Sequence, residues 1–310
     1  SAYEDMASKF LEHFVQIADA MNTLGGTGLW DETDGFYYDQ IKIDGEIIPL
    51  RSRSIVGILP FIAVEILEED KIKRLPGFYK RFQWFQRHRK DLSRHISHGE
   101  IGAVDEHRHC LLAIPSRQRL ARMLRYLLDE NEFFSPFGIR SVSKFHQDHP
   151  YVFEACGTRQ SVDYQPGEST TGLFGGNSNW RGPIWFPLNY LIIEALERYH
   201  HFYGDDFKVE CPTGSGRQAT LKDVARELES RLANIFLPDK SGRRPCCGGD
   251  PRFLADPHWK DLVLFHEYFH GETGKGLGAS HQTGWTALVI RNIEDLARRR
   301  ARLEAARQKR

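Results

Sequence analysis

The sequence predicts an all-α fold, a toroid of helical hairpins whose functional loops gather at one end. Three observations carry that prediction. Roughly seven stretches place apolar residues at steps of three and four, the period of a helix with one buried face. The loops between them alternate between short and long. No βαβ alternation occurs, and neither a GxxxxGK phosphate loop nor a GxSxG nucleophile elbow is present, which removes the common α/β enzyme classes.

Taken in order, Tyr3 to Asn22 sets Met6, Phe10, Phe14, Ile17 and Met21 on one stripe, the expected buried face of a first helix. TLGGTG at 23–28 stops it. Residues 29–54 then give short strands with a turn at Asp44 and Gly45. Ser54 is placed to cap a helix from Ile55 to Leu67, apolar nearly all round in spite of Pro60. A helix over 77–88 precedes a histidine-bearing loop at 93–109, and Ser116 to Asp129 resumes helix with Leu120, Met123, Leu124, Leu127 and Leu128 on one face. From Phe133 to Gly182 the helical period is lost, and a connection of that length usually serves a site. Pro183 opens the approach to a helix ending near 204, and further helices follow at 222–236 and from about 285 to the end.

Composition narrows the function. The 310 residues carry 42 basic and 42 acidic side chains, so net charge argues for neither nucleic acid nor an anionic membrane. The basic run at 297–310 is broken by Glu304 and reads as a solvated helix end. Five cysteines without metal-ligand spacing fit a reducing compartment. With no basic-apolar leader and no long apolar run, a cytoplasmic location is expected. His95, His98, His107 and His109 form no metal-binding signature and are expected to be loop histidines; no metal or organic cofactor is implied.

Residues 265–289, FHEYFHGETGKGLGASHQTGWTALV, set Glu267 between His266 and Tyr268, with Phe269 and His270 following, ahead of a glycine-rich turn. If that segment is extended, Glu267 and Phe269 share one side and His266, Tyr268 and His270 the other. A second aromatic stretch, WRGPIW, brings Trp180, Arg181 and Trp185 to the mouth of a helix, and Trp285 follows QTG. Indoles stack on the CH faces of pyranoses while Arg and Glu bind hydroxyls, so this combination points to a sugar pocket and an oligosaccharide or small glycoside as partner.

Together LWDETDGFYYD at 29–39, NWRGPIWFPLNYLIIEAL at 179–196 and EYFHGETGKGLGASHQTGWTALV at 267–289 resemble the bacterial and archaeal members of glycoside hydrolase family 63, which is related to processing α-glucosidase I and mannosylglycerate hydrolase. The resemblance implies an (α/α)6 barrel and inverting hydrolysis of α-linked glucosides or mannosides. It assigns Glu267, ahead of GWTAL, as general base, and Trp180 and Trp185 as walls of the glycone pocket. The family's general-acid aspartate has no matching motif here; Asp31 and Asp34 read instead as turn residues. Residues 1–310 are therefore expected to be a single domain, the C-terminal portion of a catalytic barrel that an upstream segment completes. Two other function classes remain open from the residues themselves: an α-toroid epimerase or isomerase working through His266, His270 and His281, and a non-catalytic carbohydrate-binding fragment.

Overall fold

In a computed structural model of the chain, residues 2–23, 26, 28–90, 96–98, 109–155, 157–170 and 181–308 are described, the side chains of 96–98 and 109 excepted. The chain is largely helical with small antiparallel hairpins, and it divides into two compact units. One comprises residues 1–51, 56–124 and 197–207; the other comprises 52–55, 125–196 and 208–310.

In the first unit, helix Ala2–Thr23 packs on helix Pro76–His88. Leu11 and Val15 meet Phe78, Phe82 and Phe85, with Ile72 and Leu112 closing the cluster. Glu4 anchors the second helix by accepting from Gly77 N at 2.5 Å and Phe78 N at 3.1 Å, which satisfies donors that a helix start leaves open. The buried face of the first helix differs from the expected stripe. Leu11, Val15 and Ala18 are inside, whereas Met6, Phe10 and Ile17 are 52%, 66% and 54% exposed. Two apolar stripes run along this helix, and the one with the smaller side chains, Leu11, Val15 and Ala18, is buried.

The expected helix over 55–67 is also corrected. A 3-10 turn at Ile55–Ile58 and one α-turn at Leu59–Ile62 give way at Ala63 (φ −80°, ψ 73°) to strand Val64–Glu68. That strand pairs antiparallel with His109–Ala113, which pairs in turn with Ile96–His98. Alternating Val64 and Ile66 prefer the pleated surface, and the short run after Pro60 has too little length to hold a helix.

The second unit holds Glu267, Trp185 and Trp285. Helix Leu221–Asn234, capped by Thr220 through Asp223 N, packs on helix Leu288–Gln308. The hydroxyl cap stabilises the first helix by about 1 kcal/mol. Three segments meet in a small backbone ladder in which Arg140 bridges Ile184 and Ile184 bridges Phe269. Asn189 clamps the first segment through its amide, accepting from Ile139 N at 2.6 Å and donating to Ile139 O at 3.1 Å. Phe269 then drives its ring between Phe186 and Phe236, which fixes the register of the strand that follows Glu267.

Candidate active site

Glu267 stands at the foot of a two-stranded hairpin. Tyr268–Phe269 pairs with Gly276–Leu277, and Glu267 N donates to Ala279 O at 2.8 Å, extending the pairing by one position. Phe269 and Ile184 exchange backbone hydrogen bonds at 2.8 and 2.9 Å, so the carboxylate-bearing strand is tied to the centre of the unit. Phe265 O accepts from Gln282 N at 2.7 Å, and His266 O accepts from Thr286 Oγ1 at 2.6 Å. These bonds attach the QTGWT segment, and Trp285 with it, to the stretch that delivers Glu267.

Because Phe269 faces the core, strand alternation turns Tyr268 the other way. There it stacks on Trp185 with centroids 4.8 Å apart and planes at 27°, and Trp185 meets Trp285 edge-to-face at 5.9 Å and 78°. Such pairs contribute about 0.5–1.5 kcal/mol each beyond burial. The Trp285 indole Nε1 is buried with no hydrogen-bond partner among the described residues. An unpaired buried donor costs about 1–3 kcal/mol and is a feature that functional sites carry more often than plain cores.

Gly278 explains how the carboxylate and the aromatic cluster come together. Its φ is +68°, and a β-carbon there would lie 2.7 Å from both Glu267 Oε2 and Tyr268 Cε1. Only glycine allows the chain to fold this closely over both side chains. The single side-chain hydrogen bond of Glu267 among the described residues comes from Ala279 N, at 3.3 Å to Oε2. The half-buried carboxylate thus keeps most of its accepting capacity.

Not every expected site residue joins this group. Arg181 is buried and pairs with Asp163, and it donates to Ser161 O at 3.2 Å. Its guanidinium therefore ties Arg181 to the segment around Ser161 and Asp163. His270 accepts at Nδ1 from Glu272 N at 3.2 Å and lies over Gly167. Burial holds the imidazole pKa down; Glu272 opposes that shift and the Lys275 charge adds to it. The His266 ring packs on Gly276, where burial and Lys275 likewise depress its pKa, and His281 is exposed. Asp31 accepts from Thr33 N and Asp34 N and pairs with Arg51, and Asp34 accepts from Tyr38 Oη at 2.8 Å. Both aspartates hold the turn in which they sit. Trp180, His95 and His107 lie outside the described residues, as do the side chains of His98 and His109.

The sequence reading passed over Glu272. Its carboxylate receives Tyr164 Oη at 2.6 Å, Arg140 Nε and Nη2 at 2.9 Å and Lys144 Nζ at 3.1 Å. Arg140 is 1% exposed and also donates to the carbonyls of Glu130 and Glu132. Burial alone would raise the Glu272 pKa, but the tyrosine hydrogen bond and the two cations outweigh it and hold the carboxyl below its ordinary range. The signal in the sequence was the pair of carboxylates five residues apart in EYFHGET, with nothing local to mark Arg140 and Tyr164 as partners. Among the described residues no group of three or more His, Cys, Asp or Glu side chains is arranged to hold a metal ion.

Comparison with known proteins follows the same segments. The family described as the mannosylglycerate hydrolase MGH1-like glycoside hydrolase domain matches residues 109–286. An uncharacterized protein of Saccharomyces cerevisiae is 48% identical over 310 aligned residues, covering 95% of this chain and 28% of that protein. A probable mannosyl-oligosaccharide glucosidase of Schizosaccharomyces pombe is 27% identical, and the mannosyl-oligosaccharide glucosidase of Saccharomyces cerevisiae 26% identical. Each alignment covers 56% of this chain and 15% of the relative. The chain thus spans less than a third of the length of these relatives.

Proposed function

The chain belongs to the mannosylglycerate hydrolase MGH1-like glycoside hydrolase family, and on that premise we propose that it carries the general-base half of an inverting α-glycosidase active site. The observation that carries the reading is the packing at Gly278, where Glu267 Oε2 and the edge of Tyr268 share one contact point beside Trp185 and Trp285. Trp185 and Tyr268 are 5% and 3% exposed and stack on each other, so they would back the pocket, and a sugar ring bound beside them would present its anomeric carbon near a carboxylate that has room to accept a water proton.

In this mechanism Glu267 removes a proton from a water molecule on the face of the ring opposite the leaving group. A second carboxyl group, typically about 6.5–9.5 Å away, protonates the departing oxygen. The acid is proposed to be an aspartate upstream of residues 1–310, within a six-hairpin (α/α)6 barrel to which these residues contribute the C-terminal portion as a single domain. The substrate is an α-linked glucoside or mannoside. Trp180, Trp185, Tyr268 and Trp285 line the glycone pocket, with His270 and Arg181 at its margin. Burial lowers the His270 pKa, and its Nδ1 already accepts a hydrogen bond from Glu272 N. A cytoplasmic setting is part of the same reading. The free thiols of Cys110, Cys211, Cys246 and Cys247 support it, and among the described residues no helix is long and apolar enough to cross a membrane.

The test is hydrolysis of a panel of α-glucosides and α-mannosides by this chain and by a protein extended upstream, with the product anomer followed by NMR. Release of the β-anomer, lost in Glu267→Gln while the fold is retained, is the expected result. Retention of the α-anomer, or an unchanged rate in the glutamine variant, removes Glu267 from the role of base. Solvent deuterium entering a sugar carbon without hydrolysis would move the chemistry to the histidines.

A further inference from the structure

A second cavity, of about 540 Å³, opens at the tip of the hairpin whose foot carries Glu267. Its charged lining is lopsided: Arg243, Arg244 and Lys275 face a single carboxylate, Asp239. That carboxylate is already committed. Asp239 accepts from Ser241 N, Ser241 Oγ and Arg243 N, and it lies 3.6 Å from Arg243 Nε. The nearby Asp250 is likewise held by Arg252, at 2.6 Å. Arg244 and Lys275 have no ion pair among the described residues, although Arg244 is half-buried. Thr273 and His270 add polar groups to the wall.

Lys275 is also placed by the fold. Its aliphatic stem lies across Gly248, where a β-carbon would meet Lys275 Cγ at 2.5 Å and Cδ at 2.6 Å, and Gly248 has φ +60°. His270 N donates to Lys275 O at 2.8 Å, closing the hairpin turn beneath it. The lysine stem is thereby held at the cavity wall, with the residue exposed to solvent. Two positive charges in excess, one of them a forked guanidinium, complement a dianion better than a monovalent carboxylate.

We propose that the cavity bounded by Arg243, Arg244, Lys275, Thr273 and His270 binds a phosphate group, carried by a phosphorylated sugar or present as inorganic phosphate. The cavity shares His270 with the margin of the proposed glycone pocket but does not include Glu267, which is three positions along extended chain from His270, roughly 10 Å between α-carbons.

Calorimetry and phosphorus NMR on the intact chain, at ionic strength matched with potassium chloride, test it with inorganic phosphate and with glucose 6-phosphate. The measurements are repeated in Lys275→Glu, Arg244→Gln and Gly248→Ala. Saturable binding that weakens at least about tenfold in Lys275→Glu and Arg244→Gln is the expected result. Gly248→Ala is expected to weaken it as well by displacing the lysine stem, with circular dichroism checking that each variant folds. Tighter binding of glucose 6-phosphate than of phosphate supports a sugar phosphate as ligand, and equal affinity supports the free anion. No saturable binding of either probe, or binding unchanged by Lys275→Glu in a folded protein, overturns the proposal. Glu267→Gln retains phosphate binding if the cavity is as described, so failure here and failure of the hydrolase reading are told apart.

Discussion

Glu267 and Glu272 lie five residues apart on one hairpin, and the structure treats them in opposite ways. At the turn, Glu272 is surrounded by Tyr164, Arg140 and Lys144, and it holds together segments near 140, 164 and 272. At the foot, Glu267 takes one long hydrogen bond from Ala279 and lies with the edge of Tyr268 against Gly278. A carboxylate held by a tyrosine hydroxyl and two cations is a good cornerstone and a poor base, because most of its accepting capacity is already used. The less satisfied one is free for chemistry. Density of partners, rather than burial, distinguishes the two carboxylates here.

The largest effect expected from this contrast is on rate. Glu267→Gln in an upstream-extended, active protein should lower kcat by about 10²–10⁴-fold, the range of general-base contributions. Stability should stay within about 0.5 kcal/mol, because no engaged partner is lost. Steady-state kinetics beside denaturant unfolding read both quantities. A large loss of stability in this variant would erase the distinction between the two glutamates.

For Glu272→Gln the expectation reverses. Removing the charge strands the buried Arg140 guanidinium, and breaking such a pair costs about 3 kcal/mol. Urea unfolding should show this as a lower midpoint. The same carboxylate carries a pH signature. Its folded pKa lies below the ordinary value of 4.5, so its stabilisation is fully present above that value and is lost as the pH falls through the folded pKa. In Glu272→Gln that part of the acid sensitivity should vanish. Parallel pH profiles of wild type and variant would show that the ion cluster does not hold the fold.

Substitution at the aromatic wall should fall between rate and stability. Trp185→Phe keeps a ring against Tyr268 but removes the broader indole surface, so KM should rise several-fold with kcat less affected, as uniform binding is lost. If kcat falls while KM holds, Trp185 acts on the transition state and belongs with Glu267.

The glutamate contrast also marks how far sequence reasoning reaches. Glu267 could be proposed from the sequence because its neighbours His266, Tyr268 and the glycines are consecutive, and Trp185 and Trp285 because each lies in a short aromatic motif. Helices such as Leu221–Asn234 were visible from their period and from Thr220 as a cap. The Arg140–Tyr164–Glu272 cluster was not, since its members come from three distant segments joined only by tertiary folding. The pairing of Arg181 with Asp163 was hidden for the same reason, since the two residues are eighteen positions apart and no local period links them. At Val64–Glu68 the apolar run was ambiguous between helix and strand, and pairing with His109–Ala113 decided it. On the first helix, two apolar stripes competed and the packing of Phe78 and Phe82 selected one.

The smallest expected effect comes from the outermost partner of Glu272. Lys144 Nζ is 3.1 Å from Oε2, yet its side chain is 36% exposed, so water already solvates the ammonium in the folded state. Exposed ion pairs contribute about 0.2–1 kcal/mol, because Coulomb attraction is screened and a long side chain must be ordered. Lys144→Met should therefore lower stability by about 0.5 kcal/mol, an effect that added salt reduces further, while Arg140 and Tyr164 continue to hold the carboxylate down. A loss approaching that of Glu272→Gln would mean that the lysine, not the buried arginine, sets the charge balance at the hairpin tip. The line between cornerstone and catalyst would then run through solvent-exposed charge rather than through the buried cluster.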